Sequence, residues 1–425
     1  TITMANIQLN SNENSALLQS LNQSESKVIP SIYSTKEIYA PSATSWYTIT
    51  PTSGSSTDGQ SISFDLPKYG ILQQMIFRYT KNVTVAGSVN SAFVQAGDIF
   101  NVIDRVEFLS SSRILFTMYS EDLIAQFANL STDQVCTISS TALKSSDVTG
   151  TATVDEVYTV PIVFPMFYDI NTCPNLQFNE PTSLRIVFRN TKLFGGDKDT
   201  GTISSTGVSG SNLMLRYKMY SEADNAQLLA SNYESEQLNQ LVSRNYRENP
   251  VSHTTSSANE SYKFTMELKN VDVVEAFNFI VRESAKSGSG ALVLNGSAYN
   301  ALQPIKSVTL LASGQELCKL DADQLKYMRL TENGFPTNNL SYGSESFDPI
   351  DLSNAVKIQW GLWANAGGGP WTNGVSMREM NNVVAEVECV LAKNATKYTC
   401  YCQEVTSCIV STSSNVGRVA VALSN

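Results

Sequence analysis

The chain has 425 residues, 42% hydrophobic and only 16% charged, with a formal net charge of −10 and a single histidine. That length exceeds one ordinary domain and suits two of about 200 residues, and the apolar content excludes a disordered protein. The lone His253 excludes any site built from several histidines, while the acidic balance, with no run of Lys and Arg, leaves no electrostatic footprint for nucleic acid.

The polar surface must come from uncharged groups. Ser, Thr and Asn make up about 29% of residues, well above average usage, and they favour turns and strand edges over helix interiors. In chain order, residues 1–30 carry one short helical pattern, capped by Asn14 or Ser15, with Leu17, Leu18 and Leu21 on one stripe. This reads as an arm that docks through those three leucines. Its few charges, Glu13, Glu25 and Lys27, are unlike the basic arm of an RNA-binding shell protein. The first residues are polar, without the apolar core of a signal peptide, and no apolar run approaches the roughly 20 residues that span a bilayer.

Strands follow. Ile62, Phe64 and Leu66 alternate with Ser61, Ser63 and Asp65; Leu184, Ile186 and Phe188 alternate likewise, as do Leu213, Leu215, Tyr217 and Met219. Late in the chain Ala385, Val387 and Cys389 alternate with Glu386 and Glu388, and Val419, Val421 and Leu423 close the series. Period-two patterns bounded by Gly, Ser, Asn and Pro predict antiparallel sheets with one buried face, in sandwiches or jelly rolls. One stretch differs. Ser221 to Asp224 has the form of a capping box, and Leu228, Leu229, Tyr233, Leu238, Leu241 and Val242 follow at roughly helical spacing, closed by Arg244, Arg247 and Pro250. The spacing predicts a helical linker over 223–254, between a first domain at 31–222 and a second at 255–425.

The chain also matches itself at an offset of 202 residues. Ile62, Phe64 and Leu66 fall on Phe264, Met266 and Leu268; Met75 and Phe77 on Phe277 and Phe279; Val106 and Phe108 on Val308 and Leu310. Leu115, Met118, Glu121 and Leu123 meet Leu317, Leu320, Asp323 and Leu325. One offset serving about 60 residues, non-alternating segments included, argues for tandem duplication of a whole domain rather than a short repeat.

Nothing in the sequence builds an enzyme or calls for a cofactor or metal. Cys136, Cys173, Cys318, Cys389, Cys400, Cys402 and Cys408 are odd in number and scattered, which fits reduced, half-buried thiols better than a disulfide framework or a metal pair at Cys400 and Cys402. Asp197 to Gly201 opens like a calcium loop but lacks the closing Glu, with Val208 in its place. Gly367 to Pro370 has no following Lys-Ser/Thr and reads as a surface loop anchored by Trp371. The pairs Asp348/Asp351 and Glu386/Glu388 could form a glycosidase dyad, but a solvated turn and a wet strand face are simpler. His253, in a polar stretch, reads as a linker residue.

Two β domains joined by a helix-bearing linker and preceded by an arm resemble one family. Leu66-Pro67-Lys68-Tyr69-Gly70-Ile71-Leu72 leading into Met75-Ile76-Phe77-Arg78-Tyr79 is similar to its early strands, and Ile103 to Phe108, then Asp122-Leu123, to the strand-turn-strand-helix that follows. Val160 to Pro165, Asn175-Leu176 and Phe178 to Pro181 resemble its later first-domain strands. The family is the double jelly-roll major capsid proteins of tailless icosahedral double-stranded DNA viruses, which takes in tectiviruses, adenoviruses, large nucleocytoplasmic DNA viruses, virophages and polinton-like relatives. The resemblance implies an all-β fold of two tandem eight-stranded jelly rolls. It further implies a structural role in the virion: homotrimers forming pseudo-hexameric capsomers, in contact with neighbouring capsomers and with penton and minor capsid proteins. An inner membrane reached through the N-terminal arm would then separate shell from genome, with no direct contact to nucleic acid. Two other readings remain open from the residues themselves: a viral spike, fibre or lectin-like β-sandwich binding protein, and a two-jelly-roll amidase or glycosidase.

Overall fold

The structure is a computed structural model that describes residues 42–56, 59–67, 71–86, 92–94, 102–128, 146–148, 152–162, 164, 181–188, 195–197, 202–220, 237–283, 302–325, 355–359, 375–392, 394–413 and 419–423. The arm residues Leu17, Leu18 and Leu21 lie outside these, as do Asp348, Asp351 and Gly367 to Trp371.

The first half contains β1 (Ser42–Ile49), β2 (Ser53–Gly54), β3 (Ser61–Leu66), β4 (Ile71–Ala86), β5 (Ala92–Val94), β6 (Ile103–Ser110) and β7 (Arg113–Tyr119). Helix α1 (Ser120–Ala128) follows, then β8 (Ser146–Val148), β9 (Ala152–Ile162), β10 (Thr182–Phe188), β11 (Gly195–Asp197) and β12 (Thr202–Tyr220). Two antiparallel sheets, ordered β1-β12-β4-β9 and β2-β3-β10-β6-β7, face each other, and β11-β5-β8 forms a small third sheet.

The second half contains β13 (Gln237–Arg247), β14 (Val251–Thr254), β15 (Glu260–Leu268), β16 (Val273–Glu283), β17 (Ile305–Ala312), β18 (Gln315–Asp321), β19 (Val356–Gln359), β20 (Val375–Ser376), β21 (Val383–Leu391), β22 (Lys397–Ser413) and β23 (Val419–Leu423). Its sheets are β13-β22-β16-β19, extended by β14, β20 and β23, and β15-β21-β17-β18. Strand for strand this is the order of the first half: β1, β12, β4, β9 correspond to β13 with β14, β22, β16, β19, and β3, β10, β6, β7 to β15, β21, β17, β18. Two four-stranded antiparallel sheets connected in this order make a jelly roll, so the chain is all-β and carries two of eight strands each.

The 202-residue offset holds at the level of the backbone. β6 and β17 begin at 103 and 305 and end at 110 and 312; β7 and β18 run 113–119 and 315–321. Even the tight turns between them match, with left-handed φ of 52° at Ser111 and 49° at Ser313. In the second copy Gly314 follows with φ 78°, giving the two consecutive positive-φ residues that a two-residue hairpin loop of the right twist requires. No atom approaches a Cβ built on Gly314, so Gly314→Ala tests backbone conformation alone. It should cost about 1 kcal/mol, read as a lower urea midpoint at unchanged slope.

Alternation fills both cores as the sequence predicts. β3 and β21 show strictly alternating burial over their apolar positions, and Leu213, Leu215 and Tyr217 are fully buried. The first core is aromatic: Phe77 stacks on Tyr79 at 5.2 Å and meets Phe64 edge-on at 6.2 Å, while the Tyr217 hydroxyl donates to the Pro67 carbonyl at 2.5 Å. The second core packs Phe264, Phe277 and Phe279 with Cys389, Cys400 and Cys402. Each fully buried large side chain contributes about 1.5–3 kcal/mol relative to exposure.

The described part of the stretch 223–254 forms strands, not the expected helix. Residues 237–247, within the stretch read as a helical linker, form strand β13, which pairs with β22 from Gln237↔Ser413 to Arg247↔Gln403. β14 continues along the same strand, from Val251↔Cys400 to Thr254↔Lys397. Asn, Ser, Tyr and Val give this stretch weak helix propensity, and pairing along a long neighbouring strand overrides the apolar spacing. The described part of the expected linker is thus built into the second jelly roll; residues 221–236 lie outside the described residues.

Candidate functional site

The most structured polar site lies where the two jelly rolls meet. β7 runs beside β13, and α1 rests against β16 and β22. Glu121, in the first turn of α1, is completely buried. Its Oε1 lies 3.0 Å from Nη2 of Arg282 on β16, and its Oε2 lies 3.6 Å from Nη1 of Arg247 on β13. The Arg247 guanidinium sits between two rings, 4.6 Å from Tyr119 of the first jelly roll and 4.7 Å from Tyr401 of the second; Arg282 lies 5.6 Å from Tyr401. The first copy thus supplies a carboxylate and a ring, and the second supplies two cations and the other ring. Buried charge requires such pairing.

The helix start is fixed locally. Asp122 Oδ2 accepts the Tyr119 backbone N–H at 2.7 Å, the reach-back half of a capping box. Burial pushes the Asp122 carboxyl up to about 8; the Tyr119 bond and Arg247 pull it down, and the Glu121 charge adds to the rise.

A second buried polar cluster closes one end of the second jelly roll. Glu248 Oε1 accepts the N–H groups of Lys269 at 2.6 Å and Asn270 at 2.9 Å. Asn270 Nδ2 donates to Glu404 Oε2 at 2.5 Å, and its Oδ1 accepts the Asp272 N–H at 3.1 Å. Burial pushes Glu404 up to about 8, with Glu248 and Asp272 adding to the rise and Asn270 opposing it. The cluster ties the β13–β14 corner to the β15–β16 turn. Among the described residues no group of three His, Cys, Asp or Glu side chains is placed to hold a metal ion.

The other sequence candidates scatter. Glu386 and Glu388 stand on the wet face of β21, where Lys263 Nζ meets Glu386 at 2.9 Å and the hydroxyls of Ser261 and Ser307 approach Glu388 at 3.5 and 3.4 Å. Cys400 and Cys402 are fully buried free thiols, and burial pushes both well up. His253 is a strand residue rather than a linker residue. Its ring stacks on Tyr262 at 3.6 Å, and Nε2 lies 2.7 Å from Glu260 Oε1. Glu260 is held down to about 2 by the N–H of Ser256 first and by His253 next.

Glu121, Arg247 and Arg282 carry the junction, and none stands out as a site in the sequence. The available signals are an arginine directly after the apolar run Phe279-Ile280-Val281, and an acidic pair, Glu121-Asp122, with one residue between it and the end of β7.

No family model matches the chain, and no curated protein matches it in sequence. Solved structures do match in fold. VP54 of PBCV-1 superposes with a TM-score of 0.62 at 12% identity, covering 95% of this chain and 100% of its own. The Faustovirus major capsid protein gives 0.57 at 12% identity, covering 96% and 98%, and the mavirus major capsid protein gives 0.57 at 12%, covering 89% and 90%. At that identity the likeness is one of fold, and it extends over nearly the whole of each chain: this protein is a double jelly roll of the kind found in these viral capsid proteins.

Proposed function

We propose that this chain is a structural major capsid protein of an icosahedral double-stranded DNA virus, without enzymatic activity, located in the virion shell. The observation that carries the reading is the repetition of one eight-stranded topology twice in a chain, in the same fold as known capsid proteins. Three such chains supply six similar bodies, so a closed three-fold ring becomes a pseudo-hexamer able to tile a face. Neighbouring capsomers, penton and minor capsid proteins are its further partners. The arm at 1–30, through Leu17, Leu18 and Leu21, docks beneath the shell on a minor protein or an inner membrane. The acidic chain does not wrap the genome directly. Size measurement of the purified protein tests this: a species near 140 kDa, three times the 46.4 kDa chain, is expected, and a monomer persisting at high concentration would overturn it.

A further inference from the structure

Resting on the trimer reading above, we propose that the outer edge of the second jelly roll, β18 with the helical turn 322–325, binds the outer face of β1, β12 and β4 on a second copy of the chain. The corresponding edge of the first jelly roll is already in use. β7 and α1 lie against the second jelly roll, and there Leu115 is 4% exposed and Glu121 fully buried. Position by position along the 202-residue offset, the second copy is open: Leu317 is 43% exposed, and Asp323 and Gln324 are exposed where Glu121 and Asp122 are buried.

Among the described residues this edge is held by bonds of its own turn. Asp321 Oδ1 accepts the N–H groups of Asp323 at 3.0 Å and Gln324 at 2.8 Å, and Gln324 Oε1 accepts the Asp321 N–H at 2.9 Å. That is a complete capping box, at the place where Asp122 reaches back to Tyr119. A preformed edge that repeats a buried one, but faces solvent, fits a partner that repeats the other side of the junction.

The chain carries that other side as well. Within one chain the receiving surface is β13, β22 and β16, whose counterparts are β1, β12 and β4. Phe77 pairs with Leu213 as Phe279 pairs with Cys402, so Arg78 occupies the outward position of Ile280 and Thr80 that of Arg282. Arg78 is exposed, Arg216 and Lys218 stand half-buried on the same face, and Trp46 is 51% exposed with the Arg216 guanidinium 6.0 Å from its ring. The edge bears Glu316, Asp321 and Asp323, all exposed, against one lysine, Lys319. Acid on the edge and base on the face is the polarity of the Glu121–Arg282 junction, and head-to-tail use of two different surfaces closes into a three-membered ring when the rotation between copies is a third of a turn. β18 then falls beside β1, bringing the exposed Leu317 to the side of Trp46.

Patch reversal in the full chain tests this by analytical ultracentrifugation at roughly 0.15 M salt. Glu316→Lys with Asp323→Lys, and separately Arg78→Glu with Arg216→Glu, should each weaken trimer formation about tenfold or more. All four changes together should recover it to within about threefold. Patch variants that associate as tightly as wild type would overturn this interface while leaving the trimer intact. A fourfold variant that does not recover would overturn the pairing of these two patches in favour of another occupant. A wild-type chain that stays monomeric would overturn both readings. Hydrogen exchange of the wild type needs no variant: association should protect β18 and 322–325 together with β1 and β4, and unchanged exchange there would sink the assignment.

Discussion

Replacing Glu121 with alanine should destabilise the folded chain by about 3–5 kcal/mol, the cost of leaving a buried charge without its partner. The side chains of Arg282 and Arg247 are only 6% and 18% exposed, so neither cation can recover hydration by a small rotation. The loss should be smaller when both partners go: Glu121→Leu with Arg282→Met removes the charge that needs an answer as well as the answer. Because the pair joins two bodies, the alanine variant should also separate one urea transition into two, each jelly roll unfolding at its own midpoint. An alanine variant within about 1 kcal/mol of wild type, with a single unchanged transition, would show that apolar contact alone holds the two jelly rolls together.

The repeat is legible in the sequence because the stretch from β3 to the helix after β7 has kept its spacing in both copies. It fades further on for a physical reason visible in the strand registers. Leu184 lies across from Phe108 and Ala385 across from Leu310, so the offset has become 201 at β10 and β21. Leu213 lies across from Phe77 and Cys402 across from Phe279, so it is 189 at β12 and β22. Loops tolerate such length changes cheaply, and a fixed-offset comparison loses phase although the topology is unchanged. Alternation identifies β3, β10, β12 and β21 directly, since one face is core and the other wet. It fails at β13, where Leu238, Leu241 and Val242 sit at helical spacing but the long β22 beside them decides the conformation. The junction is marked in the residues only by Arg282 after an apolar run and by the Glu121-Asp122 pair, and neither signal says that the two meet. Glu121 and Asp323 look alike in sequence, and only tertiary structure makes one a buried ion-pair partner and the other a surface acid.

Stability should fall as pH rises from about 5 to about 8. In the unfolded chain Asp122 and Glu404 titrate near 4; in the folded chain burial pushes both up to about 8. Between those values the folded state holds protons that the unfolded state has released, so stability present at low pH is lost on the way up, by at most about 1.4 kcal/mol per pH unit for each group. Glu260 has the opposite sign. It is held down to about 2, and its contribution is present above about pH 4 and lost only in stronger acid, so it does not blur the window. Asp122→Asn with Glu404→Gln keeps an oxygen to accept from the Tyr119 N–H and from Asn270 Nδ2, while removing both titrations. The unfolding free energy read from urea titration should therefore fall between pH 5 and pH 8 by several kcal/mol more in wild type than in this variant, up to about 7 kcal/mol for the two groups together; parallel curves would refute the assignment. The two sites also predict where the alkaline loss appears. Ionised Asp122 sets a second negative charge beside Glu121 in the junction, whereas ionised Glu404 strains only the end of the second jelly roll against Glu248 and Asp272. Asp122→Asn alone should accordingly keep the two jelly rolls unfolding together at pH 8, and Glu404→Gln alone should not.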